Sequence, residues 1–196
     1  MKSTKGLTSN EFLIKDLTGT SGRLDIICRC LLATFSFGYY DIFFHTVLCG
    51  PPSPPKSVEF IGNLMEPLPS DELGVAKLFQ ILLNSQDTEQ LKGIVLAKKS
   101  FFQLASELAQ EGILFLLRET AVPFQEQLRQ LDSSKAENQS LSFILGDHVD
   151  LTYQECEFLI ENLGATGVSL GPQSYLASHC IIYVLMELKK RNFLPS

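Results

Sequence analysis

An alternation in the second half of the chain limits its fold more than any other feature. Short apolar runs end in polar or glycine-marked loops, and segments whose apolar residues recur every three or four positions follow them. Ile113 to Leu117, Phe143 to Leu145 and Val168 to Leu170 are too short for helices and read as buried strands. Ile42 to Leu48, Ser57 to Ile61 and Ile94 to Ala97 give the same reading earlier in the chain, with Glu11 to Lys15 as a further short strand. A helix is predicted from Arg23, where Leu24, Ile27, Cys28, Leu31, Leu32 and Phe35 make one stripe that Gly38 stops. Other helices are predicted from a Ser70 cap to about Leu83, from the Ser100-x-x-Gln103 spacing to Gln110, from Thr152-x-x-Glu155 to Gly164, and from Ser174 to about Arg191. Phe124 to Gln139 reads as a partly helical connection, and Asp16 to Gly22 as turn. Parallel neighbours need crossover connections, so β–α alternation predicts an α/β fold with a largely parallel sheet whose ligands gather at the carboxyl ends of the strands.

At 196 residues, 45% of them apolar, the chain is expected to form one domain. The longest apolar stretches, such as Ile26 to Phe37 and Tyr175 to Leu188, fall short of the roughly 20 residues that span a bilayer. Polar residues follow Met1-Lys2-Ser3-Thr4-Lys5-Gly6 where a secretory leader would carry an apolar segment, so a cytoplasmic, membrane-free protein is expected. Five cysteines lie within apolar periodic segments, without Cys-x-x-Cys, which predicts reduced thiols and no metal. A net charge of −6 opposes nucleic-acid binding by bulk electrostatics, so any RNA contact must be local.

Neither a dinucleotide-binding G-x-G-x-x-G nor a P-loop is present, and G-x-S-x-G is missing. A hydrolase would have to rest on Asp147 with His148 or on His179 with Cys180, and sequence neighbours do not face one another as nucleophile and base must. What remains is three loops that follow short strands: Leu117-Arg118-Glu119, Gly146-Asp147-His148 and Gly171-Pro172-Gln173. Loops of this kind let backbone groups approach a ligand closely, and they are also ordinary βα turns.

The motifs Phe143-Ile144-Leu145-Gly146-Asp147-His148, Val168-Ser169-Leu170-Gly171-Pro172 and Ala177-Ser178-His179-Cys180-Ile181-Ile182, in that order, resemble the archaeal-type tRNA pseudouridine-54 N1-methyltransferases and their bacterial relatives. Asp16 to Asp25, running on to Cys30, is similar to that family's opening motif. The resemblance implies a SPOUT-type parallel sheet flanked by helices, with a C-terminal trefoil knot in a cofactor-binding part at about 113–196. It implies S-adenosylmethionine as cofactor, held by residues matching Leu117, Gly146, Ser169, Leu170, Gly171, Pro172 and Cys180. Tight Gly146 and Gly171 loops suit a ligand lying on backbone, and Cys180 is expected to give a backbone contact. It also implies tRNA as substrate and a homodimer; the apolar positions of the last helix cover more than one face, which agrees.

Methyl transfer to a ring nitrogen is an in-line displacement that needs alignment and an exit for the N1 proton, without a covalent enzyme intermediate. The related ribosomal enzymes carry a similar Arg-x-Asp at the place of Arg23 and Asp25, which makes these two the candidate catalytic residues: the guanidinium for phosphate or a base carbonyl, the carboxylate for the base N–H. His148 and Asp147 are expected to border the same site. A methyltransferase acting on another RNA position, or a non-catalytic RNA-binding or assembly protein, would keep much of this pattern.

Overall fold

The computed structural model describes residues 1–38, 41–84, 91–131 and 139–194. It falls into two compact units, Met1–Phe101 with Gly146–Asp150, and Phe102–Leu145 with Leu151–Ser196.

The first unit is built on a four-stranded sheet of order β1-β2-β3-β4, with β1 at Lys2–Ser3, β2 at Phe43–Leu48, β3 at Lys56–Ile61 and β4 at Ile94–Ala97. Here the expectation of a largely parallel sheet needs correction: only β1 and β2 run parallel, while β2–β3 and β3–β4 are antiparallel. The reason lies in the connection. The Pro-rich stretch from Gly50 to Pro55 holds no helix that could carry the chain back across the sheet, so β3 returns beside β2 as a hairpin partner. Glu11 to Lys15 is likewise not a strand. A 3-10 turn forms at Ile14–Asp16 and runs into the short helix α1, Leu17–Thr20, where Asp16 Oδ1 accepts from the Gly19 amide at 3.2 Å.

Helix α2, Leu24–Phe35, forms where the apolar stripe predicted it, and Leu24, Ile27, Cys28 and Leu31 are wholly buried. Helix α3, Glu72–Leu83, starts one residue later than Ser70 would allow, because Asp71 is the cap, accepting from the Gly74 amide at 2.7 Å. Phe60 from β3 sits between Phe44 and Phe79, with ring centroids 6.2 and 5.8 Å away. Phe60 and Phe79 are both fully buried, and each such ring contributes about 2–3 kcal/mol by burial.

The second unit does have the parallel sheet. Its order is β6-β5-β7, with β5 at Gly112–Pro123, β6 at Ser140–Ile144 and β7 at Thr166–Ser169, and both pairings are parallel. Helix α4, Phe101–Glu111, leads into β5, α5 is Phe124–Gln130, and α6 is Tyr153–Glu157 followed by a π-type turn, Phe158–Asn162. The Thr152–Glu155 capping box is formed in both directions, as its spacing predicts. The last helix, α7, spans Ala177–Lys190 and packs Val184 and Leu188 with Phe115, Phe124, Leu128 and Val168 in one core. Strand β5 is longer than predicted. Val168 pairs with both Leu117 and Val122, so residues 118–121 bulge out of the ladder before pairing resumes.

Candidate functional site

The opening motif is shaped by two unusual backbone positions. Gly22 has φ +66, and a Cβ there would lie 1.8 Å from the Lys5 carbonyl oxygen, so no other residue fits. Arg23 follows at φ 72, in the left-handed region that a side chain ordinarily avoids. Such a conformation costs about 1–3 kcal/mol and persists where the surroundings over-determine it. Those surroundings are visible: Ser21 Oγ accepts from the Leu24 amide at 3.0 Å, and the Arg23 guanidinium reaches forward to Asp25.

Arg23 and Asp25, paired by the sequence reading, form a two-point ion pair, Nε to Oδ1 at 2.9 Å and Nη2 to Oδ2 at 3.2 Å. Arg29, one helical turn on, donates to the same Oδ2 at 2.8 Å and reaches Glu72 Oε2 at 3.5 Å. The sequence reading missed Arg29 as part of the cluster, although its i,i+4 spacing from Asp25 was a usable signal. Asp25 is 1% exposed while both arginines keep about a third of their side chains in solvent. Burial pushes the Asp25 carboxyl up, but the hydrogen bonds and charges of Arg23 and Arg29 outweigh it and hold the group below its ordinary range. The bond to Asp25 in turn raises the Arg23 pKa, with Asp147 adding to the effect through space.

Asp147 is the second acidic centre of this unit. Its side chain is fully buried, Oδ2 accepts from Ser3 Oγ and the Thr4 amide at 3.0 Å each, and Oδ1 accepts from the Val149 amide at 3.0 Å. His148 Nδ1 stands 3.6 Å from Oδ1, with 28% of its side chain exposed. The contacts with Ser3 and Thr4 span more than 140 residues of sequence, and no local pattern announces them.

In the second unit, Leu117 ends the first paired stretch of β5, and Ser169 ends β7 with Leu170, Gly171 and Pro172 after it, all at the carboxyl end of the parallel sheet. The Ser169 hydroxyl is the pivot. It accepts from the Gly171 amide at 3.2 Å and lies 2.9 Å from the Glu119 carbonyl and 3.1 Å from that of Gly171, either of which can take its proton. The bulge of β5 and the loop after β7 are thereby tied together. Gly171 has φ +143, and the space a Cβ would take is closed by Tyr175 Oη at 3.2 Å. Cys180 is half-buried on α7, and its amide already donates to the Leu176 carbonyl at 3.0 Å, so that N–H is not available to a ligand. Burial pushes its thiol up. Gly146 follows β6 by two residues and groups with the first unit.

A family model described as "Putative SAM-dependent RNA methyltransferase" matches residues 1–193. The chain belongs to this family. Among its relatives, the tRNA (pseudouridine(54)-N(1))-methyltransferase of Methanococcus aeolicus is 33% identical over 96% of this chain and 95% of its own length. The enzymes of the same name from Pyrococcus abyssi and Thermococcus onnurineus are 33% and 36% identical, covering 97% and 94% of this chain and 96% and 92% of their own. Among solved structures, Archaeoglobus fulgidus Nep1 bound to S-adenosylhomocysteine superposes with a TM-score of 0.64 at 18% identity, covering 88% of this chain and 73% of that one. That likeness establishes an α/β fold shared with Nep1.

The loops of this methyltransferase fit the cofactor its family uses. The half-buried Leu117 and Cys180 offer apolar surface, and Gly171 takes a positive φ that a side chain would strain. Among the described residues, no group of three His, Cys, Asp or Glu side chains could hold a metal ion, and no helix is long and apolar enough to cross a membrane.

Proposed function

We propose that this chain methylates N1 of pseudouridine in tRNA, at T-loop position 54, using S-adenosylmethionine. The observation that carries the reading is the match over nearly the full length of both chains to enzymes bearing that activity in their names. Bound at the loops, the cofactor supplies an electrophilic methyl group. Leu117, Gly146, Ser169, Leu170, Gly171, Pro172 and Cys180 would hold it, with Ser169 fixing the shape of the loop after β7. Arg23 and Asp25 serve the acceptor. The carboxylate fixes the guanidinium in a two-point grip, and the solvent-facing part of Arg23 is free to meet a base carbonyl or a phosphate. A carboxylate whose oxygens already accept from two arginines orients more readily than it takes a proton.

In this reading the two units work as one methyltransferase domain over 1–196, with the C-terminal part threaded as a trefoil knot, and the protein acts in the cytoplasm as a homodimer. The dimer is supported by Leu176 at 62% and Met186 at 48% exposure on or beside α7, apolar groups that a partner would cover. The test is incubation with tRNA carrying pseudouridine 54 and methyl-labelled S-adenosylmethionine, followed by mass spectrometry of the nucleosides. Label in 1-methylpseudouridine is the expected result. Label in another nucleoside would move the substrate assignment, and tight S-adenosylmethionine binding without turnover would favour a non-catalytic RNA-binding role.

A further inference from the structure

We propose that His148, backed by Asp147, is the base that takes the N1 proton during methyl transfer. The inference rests on the pseudouridine reading above and deepens it.

The reaction needs a proton acceptor, and the two acidic centres of the first unit differ in their fitness for that task. Asp25 is enclosed, with three donor contacts from two arginines on its oxygens. Taking a proton would break the grip on Arg23, and a carboxylate held below its ordinary range is a weak base. His148 is arranged in the opposite way. Its Nδ1 faces the fully buried Asp147 carboxylate at 3.6 Å, which puts Nε2 on the far side of the ring, on a side chain that is 28% exposed. The carboxylate cannot swing away, because Ser3 Oγ, the Thr4 amide and the Val149 amide hold both its oxygens. An imidazolium formed at His148 therefore meets a fixed negative charge without any rearrangement. His148 also lies two residues after Gly146, one of the positions proposed to hold the cofactor.

The step balances. Pseudouridine N1 loses its bond to hydrogen and gains one to the methyl carbon, one sulfur–carbon bond breaks to leave a neutral thioether, and the proton resides on Nε2 of His148. The positive charge of the sulfonium is thus replaced by that of the imidazolium, beside Asp147. Solvent then removes the proton from the exposed ring.

The test uses the full chain with a pseudouridine-containing T-arm RNA as probe. His148→Gln is expected to lower kcat by about 10²–10⁴-fold, as loss of a general base does. Its affinities for the RNA and for S-adenosylhomocysteine should stay within about twofold, which also shows that the variant is folded. Asp147 faces the imidazole, and Arg23 feels the same carboxylate. Asp147→Asn removes the fixed negative charge that faces the imidazole, so kcat should fall at least about tenfold, while the affinities for the RNA and for S-adenosylhomocysteine again stay within about twofold. Turnover of His148→Gln or of Asp147→Asn within about threefold of the parent overturns the assignment. If the unsubstituted protein methylates no pseudouridine, the functional reading itself has failed, an outcome distinct from both.

Discussion

The cluster around Asp25 and the loop after β7 are two ways of fixing a site. The first is held by charge: a buried carboxylate grips two guanidiniums, and the strained backbone at Arg23 is maintained by that grip. The second is held by shape: one hydroxyl, one glycine and the bulge of β5 define the loop without an ion pair among the contacts of Ser169 and Gly171. The difference suits the partners proposed for them. An RNA acceptor needs a preset cationic group, whereas a cofactor that carries its own charge needs room and backbone contact. Substitutions should therefore act through electrostatics and stability in the first region, and through ligand affinity in the second.

The largest effect is expected where backbone meets backbone. Gly22→Val puts a side chain onto the Lys5 carbonyl at a positive φ, and should cost more than about 4 kcal/mol, read as loss of the cooperative urea transition. A variant that unfolds normally would show that the opening motif is free to rearrange and that Arg23 is not locked.

Asp25→Asn should come next. Removing the charge leaves Arg23 and Arg29 one neutral amide oxygen in place of a carboxylate, and about 2–3 kcal/mol is expected to be lost near pH 7 for hydrogen bonds to a charged group. The sign with pH follows from the lowered carboxyl. Its contribution is present above the unfolded-state pKa and lost as pH falls through the folded value, so the gap between parent and variant should close as pH falls below the ordinary carboxylate range. Urea titrations at several pH values would show it; a gap that persists at low pH would mean that packing, not charge, is lost. Activity on pseudouridine-containing tRNA should fall as well, with S-adenosylhomocysteine affinity nearly unchanged.

Much of this contrast was legible in the chain. The apolar stripe of α2, the Thr152–Glu155 box and most of the strands are local patterns that appear where they were read, the expected strand at Glu11 to Lys15 being the exception. What escaped reading is non-local. Strand β1 is two polar residues that become a strand only by pairing with Val47 and Leu48. The antiparallel first sheet depends on a connection that carries no helix, and Asp147 is fixed by Ser3 and Thr4 from the other end of the sequence. Of the site, the resemblance supplied Arg23, Asp25 and the loop glycines, but neither the commitment of both Asp25 oxygens nor that of the Cys180 amide.

On the shape-held side, Gly171→Ala should lower S-adenosylhomocysteine affinity about tenfold or more, with a small change in stability. An L-residue is strained at φ +143, and the added methyl meets Tyr175 Oη at 3.2 Å. Calorimetry in the presence of chelator checks both the affinity and the absence of a metal requirement. Unaltered binding would place the cofactor elsewhere.

The smallest effect belongs to Cys180, and it decides whether the loop side has any covalent chemistry. A cysteine nucleophile must be a thiolate, and burial at Cys180 pushes the thiol up, away from that form. Its amide is spent within α7, so what it can offer a ligand is half-buried surface. Cys180→Ser is nearly isosteric and should keep turnover within about threefold, since direct displacement at N1 calls for no enzyme adduct. Steady-state rates on pseudouridine-containing tRNA, measured beside Asp25→Asn, make the comparison sharp: loss at Asp25 with retention at Cys180 is the signature of an acceptor fixed by charge and a cofactor fixed by shape. The reverse pattern, with Cys180→Ser inactive and Asp25→Asn active, would overturn both assignments and point to covalent addition at carbon.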